Sequence, residues 1–204
     1  MIDPTGPVVP PGRMRRSRQP DLALPGHPRT RLRRWREGDA PVLVRSCLDP
    51  DIQYWNRPGR LTTEAAARER IARWEQRWEN EEAAVWAVAA EDDDVPMGLI
   101  GLADLDLRGG SGEFVYWLLP AGRGRGVMAH ATAAVSRWAF DSLGLHRLRI
   151  THSVANTASC HVATAAGFAL EGTMRSALLH ADGWHDEHLH ARIRDDTETE
   201  GVPG

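Results

Sequence analysis

Seven residues, Pro120-Ala-Gly-Arg-Gly-Arg-Gly126, separate the run Glu113-Phe-Val-Tyr-Trp-Leu-Leu119 from an apolar helical pattern that opens at Val127. A strand that passes through a glycine-rich turn straight into a helix converges backbone N–H groups at a positive helix end. At Gly124 and Gly126 no Cβ stands in the way. Such a turn is an anion cradle. Arg123 and Arg125 are placed to add charge-assisted hydrogen bonds to the same phosphate oxygens.

The spacing narrows the ligand. A dinucleotide-binding turn needs glycine at its first, third and sixth positions, and counted from Gly122 the sixth is Val127. All 25 basic residues are arginine, so neither the lysine of a nucleoside-triphosphate loop nor a pyridoxal Schiff base can be built. What remains is Arg-x-x-Gly-x-(Gly/Ala), with Arg123 and Gly126 in its first and fourth positions and Met128 where the pattern has a small residue.

In this the chain resembles the GNAT superfamily of acetyltransferases, whose signature loop binds the pyrophosphate of acetyl-CoA. The resemblance spans roughly residues 28–194 and narrows to the ribosomal-protein N-terminal acetyltransferase (RimJ/RimL-like) branch. Four blocks carry it: Arg29-Thr-Arg-Leu-Arg-Arg-Trp35 with Gly38-Asp39, Glu113-Phe-Val-Tyr-Trp117, the run from Asn156 to Gly172, and Asp182-Gly-Trp-His-Asp-Glu-His-Leu189. It implies an α+β fold: one central mixed, mostly antiparallel twisted sheet with helices on both faces, and fourth and fifth strands splayed apart.

A chain of 204 residues, 42% hydrophobic and 26% charged, suits one domain with a real core. The net charge of −3 argues against nucleic acid as a partner. Cys47 and Cys160 have no metal-ligand or disulfide-framework spacing. Without a membrane-length apolar run or a signal-peptide core, the expected location is the cytoplasm; a homodimer stays open. Residues 1–28 hold seven of the 13 prolines and no apolar periodicity, so a disordered tail is expected there, with Met14 an alternative start. Residues 29–194 form the expected domain and 195–204 an acidic tail.

Within the domain, Asp39 reads as the cap of a first helix and Thr62 or Thr63 as the cap of a second, whose Ala67, Ile71, Trp74 and Trp78 make one stripe. Strands are expected at 85–90, 97–105, 113–119 and 147–154, with a helix from Val127 to Gly144 and another from Asn156 to Gly167. Asp182-Gly183 reads as a hairpin turn between two last strands. Gln53-Tyr-Trp-Asn-Arg57 reads as an aromatic-polar loop.

Acyl transfer to an amine needs a neutral nucleophile, an oxyanion hole and a proton for the departing thiolate. The resemblance implies that pantetheine runs along Trp117, Leu118 and Leu119, with the Leu118 amide polarising the thioester carbonyl. It further implies that the phosphates meet Arg123, Gly124, Arg125, Gly126, Val127 and Met128. Asn156 and Ser159 match the branch's Asn-x-x-Ser, in which Asn contacts pantetheine and Ser protonates the thiolate; taken alone the pair equally fits a helix cap. Glu113 is the candidate base, against the plainer role of a solvated strand-entry carboxylate. Trp55 and Trp184 are the candidate acceptor contacts. The histidines of the last strands, with Asp186, His188 and His190 alternating, read as acceptor contacts or surface groups, and no metal is expected.

The expectation is an acetyl-CoA-dependent N-acetyltransferase acting on a primary amine, foremost a protein or peptide N-terminal α-amine, in a ternary complex. A small amine (antibiotic, polyamine or amino acid) or a larger acyl-CoA is the alternative. An RNA-binding Arg/Gly module is the remote one.

Overall fold

The computed structural model describes residues 6–56, 58–59 and 61–197. One eight-stranded sheet organises them: β1 (Leu22–Ala23), β2 (Thr30–Arg34), β3 (Ala84–Ala90), β4 (Pro96–Leu102), β5 (Ser111–Leu118), β6 (Arg147–Ser153), β7 (Ala169–His180) and β8 (Gly183–Ile193), in the order β1-β2-β3-β4-β5-β6-β8-β7. Every neighbouring pair is antiparallel except β5 and β6. The mixed, mostly antiparallel α+β architecture is the expected one.

The period of two along a strand divides the core into two layers. Trp86, Val88, Ile100, Leu102, Phe114 and Ile150 face one side, where α4 (Val127–Arg137) packs. Val85, Ala87, Leu99 and Trp117 face the other, against α1 (Ala40–Ser46) and α3 (Glu64–Glu79). Thr63 caps α3 by accepting from the Ala66 amide, and Ala67, Ile71 and Trp78 are its buried stripe. The α4 helix continues as a wider-turned segment, Trp138–Leu143, and stops at Gly144, whose φ of 99° suits glycine.

Three expectations are corrected. From residue 6 onward the N-terminal stretch is packed: Val9, Met14 and Leu24 join the main core. The Gly12 and Met14 amides donate to Glu81, the Trp78 and Trp86 indole N–H groups donate to the Ser17 and Pro20 carbonyls, and β1 pairs with β2. Sheet pairing and shared indole bonds offset the ordering cost that composition alone would leave uncovered. Residues 1–5 and 198–204 of the two expected tails lie outside the described residues, and Arg194–Thr197 forms a single helical turn.

Asp39 precedes α1 but makes no side-chain cap. Its carboxylate instead accepts from the buried Arg33 guanidinium at 2.8 and 3.0 Å. The expected aromatic-polar loop is helical over Pro50–Asn56, here α2, with Asp49 Oδ1 accepting from the Ile52 amide at its start. Arg57 lies outside the described residues. Only Ile52 of α2 is buried, so no apolar period marked the helix.

Candidate active site

Parallel pairing between β5 and β6 covers only Ser111 to Glu113 against Arg147 to Arg149. Beyond that point β5 runs on to Leu118 without β6 beside it. This is the expected splay, five strands in because β1 adds one. Tyr116 and Leu118 turn their carbonyls away from β4, to Asn56 Nδ2 at 2.7 Å and Arg123 Nε at 2.9 Å. In an extended strand the N–H and C=O of one residue share a side, so the Leu118 amide faces the opening too.

A cavity of about 520 Å³ fills this opening. It brings together Trp55, Trp117, Leu118, Arg123, Gly124, Gly126, Val127, Met128, Asn156 and Ser159, ten of the residues singled out in the sequence. At one end α4 begins with Gly126 as its N-cap, φ 72°, and no side chain caps it. The first-turn N–H groups of a helix have no helical partner, so this end presents bare donors to an anion. Gly124 also has positive φ, 74°, and a Cβ there would meet nothing within 4 Å. The glycines are thus required by backbone conformation more than by space.

Arg123 is held otherwise than expected. Its guanidinium bridges to Asp49 at 2.7 Å and Asp51 at 2.6 Å, so two carboxylates already take the charge assigned to phosphate. Burial would raise the Asp49 carboxyl, but the Ile52 amide and Arg123 more than reverse it and hold it below the usual range. Arg123 therefore staples the start of α2 to the cradle. Met128 is 5% exposed and packs in the main core as well as facing the cavity.

In the middle of the cavity, Asn156 Oδ1 accepts from the Ser159 amide at 3.0 Å and caps α5 (Thr157–Ala165). The Ser159 hydroxyl meets Tyr116 Oη at 2.6 Å. Burial pushes the Tyr116 phenol up to about 12, against a smaller downward pull from Ser159, so at neutral pH it keeps its proton. Tyr116 was missed in the sequence because tyrosine in a strand is ordinary and its partner lies 43 residues on.

Four expected residues fall outside the cavity lining. Glu113 sits at the closed end of the splay, its carboxylate accepting from Arg149 Nε at 2.7 Å and Thr151 Oγ1 at 2.5 Å. Leu119 turns into the second core layer. Arg125 folds back to the Ala121 carbonyl. Trp184 is 64% exposed on the β7–β8 hairpin. Trp55 does line the cavity, beside a clasp that ties α2 to that hairpin. There, Tyr54 Oη donates to Asp182 at 2.8 Å, Asp182 also meets His185 at 3.1 Å, and His180 stacks on His185 at 4.3 Å.

A splayed sheet with bare helix-end donors at one side and a hydroxyl pair in its middle can take an extended ligand that carries an anionic group. The family model described as an acetyltransferase (GNAT) domain matches residues 29–169. The chain belongs to the GNAT acetyltransferase family. GNAT chemistry is acetyl transfer from acetyl-CoA to an amine.

Among relatives, the protein named "Probable N-acetyltransferase YjcK" of Bacillus subtilis (strain 168) is 31% identical over 133 residues, 64% of this chain and 73% of the relative. The ribosomal-protein-serine acetyltransferase of Escherichia coli (strain K12) is 32% identical over 103 residues, 50% of this chain and 58% of the relative. In fold, the chain is similar to RimL, a ribosomal L7/L12 alpha-N-protein acetyltransferase solved in complex with coenzyme A. The TM-score is 0.77 at 22% identity, covering 86% of this chain and 99% of that one. Among the described residues, no helix is long and apolar enough to cross a membrane.

Proposed function

We propose that this acetyltransferase acts on the N-terminal α-amine of a protein or peptide. The observation that carries the reading is the lack of an unpaired carboxylate in the cavity lining. Asp51 is the one carboxylate among the described lining residues, and it is bridged to Arg123. At neutral pH an α-amine costs about 1 kcal/mol to deprotonate, against about 4.6 kcal/mol for a lysine. A site whose lining offers the His161 imidazole but no unpaired carboxylate discriminates in favour of the former. The similarity to the E. coli ribosomal-protein-serine acetyltransferase and to RimL, a ribosomal L7/L12 alpha-N-protein acetyltransferase, supports the same reading.

In this account pantetheine lies along the free edge of β5 and the Leu118 amide polarises the thioester carbonyl. The amine, having lost its proton to water, attacks the carbonyl carbon. As the tetrahedral intermediate collapses, the C–S bond breaks and the Ser159 hydroxyl gives its proton to the sulfur, while the nitrogen sheds its extra proton through water, which restores the hydroxyl and leaves a neutral amide and a free thiol. Tyr116 donates to Ser159 Oγ and steadies the oxygen as that proton leaves. Trp55 and the α2–hairpin clasp border the acceptor entrance.

The test is a competition at pH 7 between a peptide with a free N-terminus, the same peptide N-terminally blocked but bearing a lysine, and a set of small amines. The expected result is kcat/KM at least tenfold higher for the α-amine. Equal or greater turnover of lysine or of a small amine would overturn the reading.

A further inference from the structure

Three imidazoles and a thiol meet behind the helix that carries Ser159. The register of β6 on β8 sets His152 opposite His188 and Ile150 opposite His190. Residues two apart on a strand share a face, so His152, His188 and His190 rise from one side of the sheet, and α5 brings Cys160 onto them. The ligand-capable atoms of the four all lie within 4.8 Å of one another. Cys160 Sγ is 3.9 Å from His190 Nε2, and the His152 and His190 rings stack at 5.2 Å.

The hydrogen bonds around the cluster leave it short of partners on its inside. His152 is 5% exposed and His190 2%. His152 spends Nδ1 on the Ser153 carbonyl at 2.8 Å, which leaves Nε2 buried with no partner; His188 Nδ1 is buried and unpartnered as well. His190 directs Nδ1 at the Phe168 carbonyl at 3.3 Å, so its Nε2 offers a lone pair toward Cys160. Orphaned nitrogens in one buried pocket are costly. Ring nitrogens anchored from behind on backbone carbonyls are also the arrangement that orients imidazoles toward a metal.

We propose that His152, Cys160, His188 and His190 form a tetrahedral zinc site that clips α5 to β6 and β8. The donor set of three imidazoles and one thiolate suits zinc and excludes calcium and magnesium, which take oxygen ligands. Zinc bonds of about 2.0–2.3 Å place ligand atoms roughly 3.3–3.8 Å apart. The widest pair in the cluster, at most 4.8 Å apart, therefore has to close by up to about 1.5 Å for two nitrogens and about 1.3 Å for a nitrogen and the sulfur, which calls for side-chain rotation. With four protein ligands no coordination position is left for substrate, so the ion is structural. Cys160 follows Ser159 directly, and the clip fixes the helical turn that also carries Asn156. The sequence pointed elsewhere: of its alternating trio, Asp186 instead accepts from the Ser176 amide, while Cys160 and His152 come from other elements.

Chelator-treated protein titrated with Zn²⁺ and with Co²⁺, without substrate, tests this apart from any acetyl transfer. A single equivalent is expected to bind at micromolar metal, and zinc should raise the Tm. Cobalt should give intense tetrahedral visible bands and a thiolate-to-metal charge-transfer band. Cys160→Ser should lose the charge-transfer band and bind zinc at least tenfold more weakly, while His146→Gln, outside the cluster, should match the parent. No stoichiometric binding by the parent protein, or a weak octahedral cobalt spectrum without charge transfer, overturns the proposal. Those two readouts need no variant, so they decide the matter even where Cys160→Ser fails to fold, and His188→Gln then supplies the ligand test.

Discussion

The Tyr116 hydroxyl lies 2.6 Å from Ser159 Oγ, joining the free edge of β5 to the first turn of α5. Because the phenol keeps its proton up to about pH 12, Tyr116 retains a proton that it can donate to Ser159 throughout the range in which α-amines react. Ser159→Ala should lower kcat roughly 10- to 10³-fold with little change in acetyl-CoA affinity, since help to the leaving thiolate is realised in the transition state. Tyr116→Phe should lower kcat by roughly tenfold and add little further loss in the Ser159→Ala background, because the two act as one unit. Independent, multiplying losses would show that Tyr116 acts elsewhere.

With Arg123 bridged to Asp49 and Asp51, phosphate binding at this turn would rest on the backbone amides. Alanine in the left-handed conformation of Gly126 costs about 1 to 2 kcal/mol, strain that the turn sheds by swinging its amides out of line, so Gly126→Ala should weaken acetyl-CoA by roughly five- to thirtyfold. Arg123→Ala should weaken it less, and should also raise the acceptor KM by loosening α2. Calorimetry with acetyl-CoA on both variants checks the order. A larger loss in Arg123→Ala would mean that the guanidinium leaves its carboxylates for the phosphates.

Met128, which breaks the family pattern, packs in the core as well as lining the cavity. Met128→Ala should lower stability by about 2 to 3 kcal/mol in urea unfolding and leave acetyl-CoA affinity no tighter than in the parent. Tighter binding with unchanged stability would place the methionine against the pyrophosphate instead.

Local signals carried most of what the sequence made legible. The glycine turn, the stripe of Ala67, Ile71 and Trp78, the Thr63 cap and the ends at Gly144 and Gly167 each depend on residues a few positions apart. What escaped depends on partners far along the chain. Val9, Met14 and Leu24 have no period, and their burial is decided by where Glu81, Trp78 and Trp86 stand. The α2 helix buries only Ile52, and its place is set by Arg123 and by the Tyr54 to Asp182 bond. In the site, residue types at the cradle were readable, but the charge state around Arg123 and the partner of Ser159 were tertiary facts.

Asp94 gathers Arg31, Arg33 and Arg36 in the β3–β4 turn. Burial would raise its carboxyl, yet the bonds from Arg31, Arg33 and Arg36 hold it far below the usual carboxylate range. A carboxyl depressed in the folded state contributes stability that is complete above its unfolded pKa, near 3.9, and is lost as pH falls toward its folded value. Asparagine tolerates the positive φ of this position, 58°, so Asp94→Asn isolates the charge. It should cost about 1 to 3 kcal/mol at neutral pH, and the gap to the parent should narrow below about pH 4. A gap that stays constant to low pH in urea titrations would show that the charge contributes nothing.

Glu113 stands where the family resemblance sets a base, and its surroundings argue for a pin. Its two oxygens accept from Arg149 and Thr151 of β6, at the last paired position before the strands part. A carboxylate so engaged holds the apex of the splay and is poorly placed to take a proton from an amine in the cavity. Glu113→Gln should therefore leave the acidic limb of the kcat/KM profile where it is between about pH 6 and about pH 9.5, while lowering stability by about 1 kcal/mol through the weakened bond to Arg149. An acidic limb that flattens in Glu113→Gln, with activity recovering at high pH where the amine is already neutral, would return Glu113 to the role of base acting through water.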